Sequence, residues 1–130
     1  MNMLMSDSLK GKYVNLEING EILIGTYKKG LKITLPIAKE IVASRLIFTS
    51  NTDMPALILN QGVVSMDKDA RDFLSSKEGV RGLKAGAIVL DSPFASFLGN
   101  FFIKISKPKI PAKIFANKED ALKWLEQYLS

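Results

Sequence analysis

The stretch LILNQGVVSMDKDARDFL, from Leu57 to Leu74, joins an apolar run to the start of a helix and thereby decides the predicted fold. Its first residues belong to PALILN, a short and wholly apolar segment typical of a strand covered on both faces. Ala70, Phe73 and Leu74 then lie at i, i+3 and i+4, so we predict a short helix that begins near Asp67 with these side chains inward. A buried strand that leads directly into a helix indicates an α/β arrangement.

Towards the amino terminus, the sequence predicts a hairpin and then a helix. The runs YVNLEI and EILIGTY flank Asn19-Gly20, a dipeptide that favours a type I′ turn because both residues tolerate positive φ. After the loop KKGLK, apolar residues recur at helical spacing in TLPIAKEIVASRLIF, with Thr34 as the expected cap and Pro36 in the first turn. The side chains predicted to face inward from this helix are Ala38, Ile41, Val42 and Leu46.

Towards the carboxyl terminus, strands and helices continue to alternate. LKAGAIVL is predicted to be a second buried strand, and DSPFASFLGNFFIKI a helix with a wide apolar stripe. SKPKIPAK is expected to be extended because its prolines disfavour helix, and AKIF is predicted to be a brief strand. Asn117 and Asp120 form a start similar to a capping box for a terminal helix, whose apolar side chains run from Ala121 to Leu129.

These elements predict one α/β domain over residues 10–130, preceded by a flexible tail of residues 1–9. Strands separated by helices run parallel with right-handed crossovers, so an antiparallel hairpin is followed by βα units. The expected result is a mixed, mostly parallel sheet of about five strands with about four helices. A length of 130 residues, of which 47% are apolar and 24% charged, suits one globular domain.

Composition also predicts where the protein acts. The chain has no Cys, so it offers no disulfide framework of the kind that secreted domains use. Its opening, MNMLMSDSLK, lacks the features of a signal peptide, and no apolar run approaches the roughly 18 residues of a membrane span. A cytoplasmic location is therefore expected.

The absence of His as well as Cys excludes the usual triads, dyads and zinc sites. Gly79, Gly82 and Gly86 do not form a phosphate loop, because the first two precede a predicted strand and the third lies within it, whereas a dinucleotide-binding loop follows a strand. We therefore predict a protein that is not an enzyme, with no catalytic residues, no metal ligands and no cofactor. The net charge of +5 is too small to require an anionic partner, and no base-stacking motif is evident, so nucleic-acid binding is not predicted.

Two segments, LILNQGVVSMDKDARDFL and KPKIPAKIFANKEDALKWL, resemble the STAS domain, the fold of bacterial anti-sigma-factor antagonists. The nearest likeness is to its small, stand-alone SpoIIAA-like branch. The first segment is similar to the family's pattern of a strand, then Gly-Val, and then Met-Asp at the start of a helix. The second resembles the SpoIIAA-like ending, in which a Pro-containing loop and a strand ending in Phe precede a charged cap. The resemblance extends over nearly the whole chain from about Lys10 and implies a STAS-like fold.

In the antagonists that this chain resembles, the serine after the aspartate is phosphorylated, and the unphosphorylated loop and helix bind a partner kinase. Asp67 matches that aspartate, but Lys68 stands at the serine position, so the acceptor hydroxyl is missing. Asp69 supplies a permanent negative charge near the helix amides, where acids are favourable. The resemblance therefore suggests a site that is fixed in one state, because phosphorylation at this position cannot switch it.

From these residues we expect a regulatory, protein-interaction module with a protein partner. Asp67 itself is expected to cap the helix and not to catalyse. The predicted docking surface consists of Ser65, Asp67, Lys68, Asp69, Arg71 and Asp72.

The alternative is a carrier of a small apolar or lipid-like ligand between the Phe-rich helix and the sheet, as lipid-exchange relatives of the fold suggest. A second predicted surface, for a ligand or for a homodimer contact, consists of Asn60, Asp91, Ser92, Phe94, Phe97, Phe101 and Phe102. Lysines between Lys104 and Lys113 could meet an anionic membrane surface, although a solvated loop is the favoured interpretation.

Overall fold

A computed structural model of the chain describes residues 8–60, 62–90, 99, 103–104 and 107–130. The strands are β1 (Ser8–Lys10), β2 (Val14–Asn19), β3 (Ile22–Tyr27), β4 (Lys32–Ile33), β5 (Met54–Asn60), β6 (Ser65–Met66), β7 (Leu83–Val89) and β8 (Ala112–Phe115). The helices are α1 (Leu35–Phe48), α2 (Lys68–Ser75) and α3 (Lys118–Leu125), and a 3₁₀ turn, Glu126–Tyr128, follows α3. No helix within these residues is long and apolar enough to cross a membrane.

The main sheet has six strands in the order β1-β2-β3-β5-β7-β8. The first three strands pair antiparallel, and β3, β5, β7 and β8 pair parallel. A separate parallel pair joins β4 to β6. The predicted α/β fold, with an antiparallel hairpin before parallel strands, is therefore confirmed. The additional strand is β1, which includes Ser8 and Leu9 from the predicted tail.

The hairpin between β2 and β3 is confirmed, but the predicted type I′ turn is wrong. Asn19 pairs with Ile22, so the two central residues of the turn are Gly20 and Glu21. Only Gly20 of this turn has positive φ, at 63°, whereas a type I′ turn needs positive φ at both central residues. Positive φ at the first central residue alone is the pattern of a type II′ turn, which places Gly there.

Helix α1 covers one face of the sheet beside β2, β3 and β5. All four side chains predicted to face inward are buried. Ile41 packs with Leu16, Leu23 and Ala56, and Ala38 packs with Ile33 and Ala70. Thr34 precedes the helix with extended backbone but makes no side-chain cap, and Pro36 lies in the first turn. Ser50 and Asn51 end the helical region with φ values of 52° and 60°.

Helix α3 covers the opposite face of the sheet. Its Ala121 and Leu125 are buried against Leu57, Ala85 and Ala87 of β5 and β7. The predicted cap is confirmed, because the Asn117 side chain accepts a hydrogen bond of 2.8 Å from the backbone N–H of Asp120. The sheet is thus enclosed between α1 and α2 on one side and α3 on the other. The apolar stripe of the Phe-rich segment lies outside the described residues.

Gly79, in the turn before β7, provides a test of the packing. A Cβ at this position would collide with the backbone carbonyl of Phe73 and lie 2.8 Å from the Leu74 Cα. Backbone atoms cannot move aside cheaply, so Gly79→Ala should lower the free energy of unfolding by about 1–3 kcal/mol.

The matched control is Gly86→Ala, because a Cβ on Gly86 has nothing within 4 Å. Urea unfolding should show a lower midpoint for Gly79→Ala and an unchanged or slightly higher one for Gly86→Ala. Equal stabilities for the two variants would contradict the packing described.

Candidate functional site

The candidate site lies on the α1 and α2 side of the sheet, over strands β5, β7 and β8. Ala56, Gly86 and Ala112 are neighbours in register across these three strands and form a row of minimal side chains. The next row on the same face consists of Ile58, Ile88 and Ile114. The first row leaves open space above the sheet, as the absence of any atom near a Gly86 Cβ shows.

This space is a cavity of about 340 Å³, which we call the sheet cavity. Its floor is the two rows of small and isoleucine side chains. Its other described lining residues are Tyr27, Arg45, Asn60, Val63, Met66, Arg71, Leu74, Ser75, Gly79, Val80, Leu83, Leu90, Gly99, Ile103, Pro108 and Ile110. Most of these side chains are apolar, and the volume falls in the usual range of about 300–1,000 Å³ for ligand pockets.

Arg45 of α1 is the most unusual residue that lines the cavity, because its side chain is charged and only 9% exposed. Its Nη2 donates hydrogen bonds of 3.1 Å to the carbonyl of Gly79 and 2.7 Å to that of Arg81. Its buried Nε has no hydrogen-bond partner among the described residues. Within the part of the chain that the structure describes, the single salt bridge lies elsewhere, so no carboxylate neutralises this guanidinium.

Tyr27, at the end of β3, lines the cavity close enough to Arg45 for the two groups to influence each other. Burial raises the pKa of the Tyr27 phenol, and the positive Arg45 partly offsets that shift. Burial likewise lowers the pKa of the Arg45 guanidinium, and Tyr27 opposes that change. At neutral pH the pair is therefore a protonated phenol beside a cation, since arginine stays charged in proteins.

The sequence analysis missed Arg45, although a signal for it was present. The predicted inward positions of α1 include Ile41 and Val42, and Arg45 follows them at i+4 and i+3. Helical spacing therefore places Arg45 on the buried stripe. A charged residue on such a stripe is rarely buried without a partner, so its position there could have marked the site.

The predicted docking surface is divided by the structure. Ser65, Asp67, Lys68, Asp69 and Asp72 are exposed together around β6 and the start of α2. Arg71 is half-buried instead: it lines the sheet cavity, and its Nη1 donates a 2.9 Å hydrogen bond to the Met66 carbonyl.

The start of α2 has the geometry predicted for it. The Asp67 side chain accepts a hydrogen bond of 2.8 Å from the Ala70 N–H and caps the helix. Lys68, with its side chain 77% exposed, forms a 2.7 Å salt bridge with Asp72 at i+4. Hydrogen bonding to Asp72 raises the pKa of Lys68. The cation at the family's serine position is thus partly engaged by a carboxylate of its own helix.

Only Asn60 of the second predicted surface can be placed. It lines the cavity, but its Oδ1 accepts hydrogen bonds of 2.9 Å from the N–H groups of both Gly62 and Val63, which fixes the turn after β5. Asp91, Ser92, Phe94, Phe97, Phe101 and Phe102 lie outside the described residues. Among the residues that are described, no three His, Cys, Asp or Glu side chains group together as metal ligands would.

Comparison with a solved structure agrees with this architecture. The chain is similar to the crystal structure of an uncharacterized DUF3478-family protein with a SpoIIAA-like fold from Shewanella loihica PV-4. The TM-score is 0.55 and the identity 22%, with 92% of this chain and 98% of that chain covered. A protein of unknown function from Arthrobacter sp. FB24 is 24% identical over 92% of this chain and 98% of that one, with a TM-score of 0.32.

The protein thus has the SpoIIAA-like α/β fold, as the sequence resemblance implied. Residues 16–129 match the model of a domain of unknown function, DUF7793, and the chain belongs to that family. No curated protein matches the chain.

The cap on α2 can be tested by substitution. Asp67→Ala removes the side chain that satisfies the Ala70 N–H and should lower the free energy of unfolding by about 1 kcal/mol. Asp67→Ser keeps a capping oxygen and should remain close to the unchanged protein in urea unfolding. A loss of equal size in both variants would show that Asp67 stabilises the fold through something other than capping.

Proposed function

We propose that this protein is a binding domain for a small apolar ligand, which occupies the sheet cavity. The observation that carries the proposal is the row of Ala56, Gly86 and Ala112, three minimal side chains side by side on a face otherwise lined by isoleucine. The space is concave, mostly apolar, partly open to solvent and about 340 Å³ in volume, which are the usual features of a small-ligand site. The few polar groups that converge on it would orient that occupant.

A second candidate function is the regulatory docking module that the sequence suggests. The specific observation in its favour is the exposure of the loop before α2, where Val64 is 62% exposed next to Ser65 and the polar start of the helix. An exposed apolar side chain with charged neighbours is suited to a protein contact. In this proposal Lys68 replaces the phosphorylated serine, so the surface would bind a protein partner without being switched by phosphate.

Both proposed functions are non-enzymatic. The described residues that line the cavity include no Asp, Glu, His or Cys, so the arrangement contains no such base beside a nucleophile there. The absence of catalysis, the cytoplasmic location and the homodimer stay predictions from the sequence.

The ligand-binding proposal is tested by filling the cavity. Gly86→Leu would place an aliphatic side chain in the space above the small-residue row, and Ala112→Leu would do the same from β8. Each change should weaken binding of the neutral apolar dye Nile red by about tenfold or more, because the dye and the new side chain compete for one volume. Dye fluorescence measures the binding.

The control for this experiment is Gly86→Ala, which leaves most of the volume open and should bind the dye as the unchanged protein does. Circular dichroism and urea unfolding establish that each variant is folded. Unchanged dye binding in folded Gly86→Leu and Ala112→Leu proteins would show that the cavity is not the binding site.

The docking proposal is tested at the exposed start of α2. Lys68→Glu reverses a charge on this surface and should reduce recovery of any specific partner at least fivefold, since mismatched charges weaken an interface. The measurement is affinity purification from native cells with quantitative mass spectrometry. Lys118→Glu, on the opposite side of the sheet, is the matched control. Equal recovery of partners with the unchanged protein, Lys68→Glu and Lys118→Glu would refute docking through α2.

A further inference from the structure

We propose that the occupant of the sheet cavity is an amphiphile with a single carboxylate head, bound by Arg45 and Tyr27, and an aliphatic chain over the small-residue row. This inference rests on the proposed ligand-binding function and names the class of ligand. Medium-chain fatty acids are the simplest compounds of this kind.

The first argument is the uncompensated charge of Arg45. Taking an ion out of water costs several kcal/mol unless an opposite charge and hydrogen bonds replace the water. Arg45 as a residue is nine-tenths buried, and its guanidinium has two carbonyl oxygens as its hydrogen-bond acceptors. Among the described residues that line the cavity, none is a carboxylate. An anionic ligand would complete this arrangement.

The second argument is the set of donors that remains available. Both hydrogen bonds of Arg45 come from Nη2. Its Nε has no partner among the described residues but is itself enclosed by protein, so the guanidinium donors left for a ligand are those of Nη1. The phenol of Tyr27 lines the same cavity and, at neutral pH, keeps the proton that it could donate. A guanidinium edge and a hydroxyl are suited to the two oxygens of a carboxylate, which accepts charge-assisted hydrogen bonds.

The third argument separates carboxylate from phosphate. Arg45 provides one deeply buried positive charge, which a carboxylate neutralises one for one. A phosphate monoester carries about −1.5 to −2 at neutral pH and three oxygens that need donors. Arg71 is less buried and already donates to the Met66 carbonyl, so it is less suited to hold a second negative charge.

The fourth argument is the shape and chemistry of the remainder of the cavity. Beyond the two polar groups, its floor consists of the small-residue row and of Ile58, Ile88 and Ile114. A methylene group is close in size to a water molecule, whose share of liquid volume is about 30 Å³. The 340 Å³ cavity therefore suits one medium-length chain better than a two-chain lipid.

The test compares three ligands that share a ten-carbon chain: decanoate, decanol and decyl phosphate. Calorimetric titration of the 130-residue chain should show decanoate binding about ten- to a hundredfold more tightly than decanol, as expected for a charge-assisted hydrogen bond. Decyl phosphate should bind more weakly than decanoate.

The failure of this inference is distinguishable from failure of the proposed function. Equal affinities for decanoate and decanol would leave an apolar binding site and overturn the head-group assignment. Tighter binding of decyl phosphate would overturn the choice of carboxylate. No binding of any of the three ligands, or of Nile red, would overturn both proposals.

Variants locate the head group. Arg45→Met should reduce decanoate affinity to the level of decanol and leave decanol unchanged. Because Arg45 also holds the carbonyls of Gly79 and Arg81, this variant could fail to fold, so Tyr27→Phe provides a milder test. It removes only the hydroxyl and should weaken decanoate about fivefold.

The matched control is Lys68→Met, which removes an exposed cation outside the cavity and should leave all three affinities unchanged. If Tyr27→Phe binds decanoate as tightly as the unchanged protein, Tyr27 does not hold the carboxylate. If Lys68→Met weakens decanoate as much as Tyr27→Phe does, attraction to the general surface charge, and not the cavity, explains the preference.

Discussion

The hydrogen bonds from the Arg45 side chain to the carbonyls of Gly79 and Arg81 join two parts of the molecule that are 34 and 36 residues apart in the sequence. They tie α1 to the turn between α2 and β7, and so they set the height of that turn above the sheet. The same turn forms part of the cavity wall through Gly79 and Val80. Fixing a turn with an arginine side chain has a high free-energy cost, because the charged guanidinium must be buried. The position of this arginine therefore links the stability of the scaffold to the chemistry of the site.

The architecture was largely predictable because local signals agreed with the tertiary structure. PALILN and LKAGAIVL are strands because they are apolar on both faces, and the helices lie between them because their apolar spacing changes to that of a helix. The features that were not predicted depend on distant residues. Strand β1 exists through its pairing with β2, and the β4–β6 pair joins two segments that lack strand signals of their own. The hairpin register, one residue from that expected, is set by pairing along the whole ladder and not by the Asn-Gly dipeptide alone.

The candidate site was less predictable, since it arises from residues that are ordinary when read singly. Alanine and glycine in a strand suggest only weak β-propensity, and it is the parallel register that aligns Ala56, Gly86 and Ala112. Read singly, Arg45 looks like any solvated arginine. Only the helical spacing of the apolar residues of α1 shows that it lies on the buried stripe of that helix. In contrast, the residues that stood out in the sequence, around Asp67, are explained by a helix cap and an exposed salt bridge. Polar residues that stand out in a sequence can thus have a structural role. Here the candidate site is instead marked by three residues with small side chains.

The small-residue row has a thermodynamic consequence. Larger aliphatic side chains at these three positions would stabilise the folded state by roughly 0.8 kcal/mol for each buried methylene. With small residues there, the folded state lacks that stabilisation. A compound that bound in the cavity would stabilise the folded state instead, and the stabilisation would increase with the free concentration of the compound. Resistance to unfolding and to proteolysis would then rise and fall with supply of the compound. The steady-state abundance of the protein would then depend on the concentration of the proposed ligand.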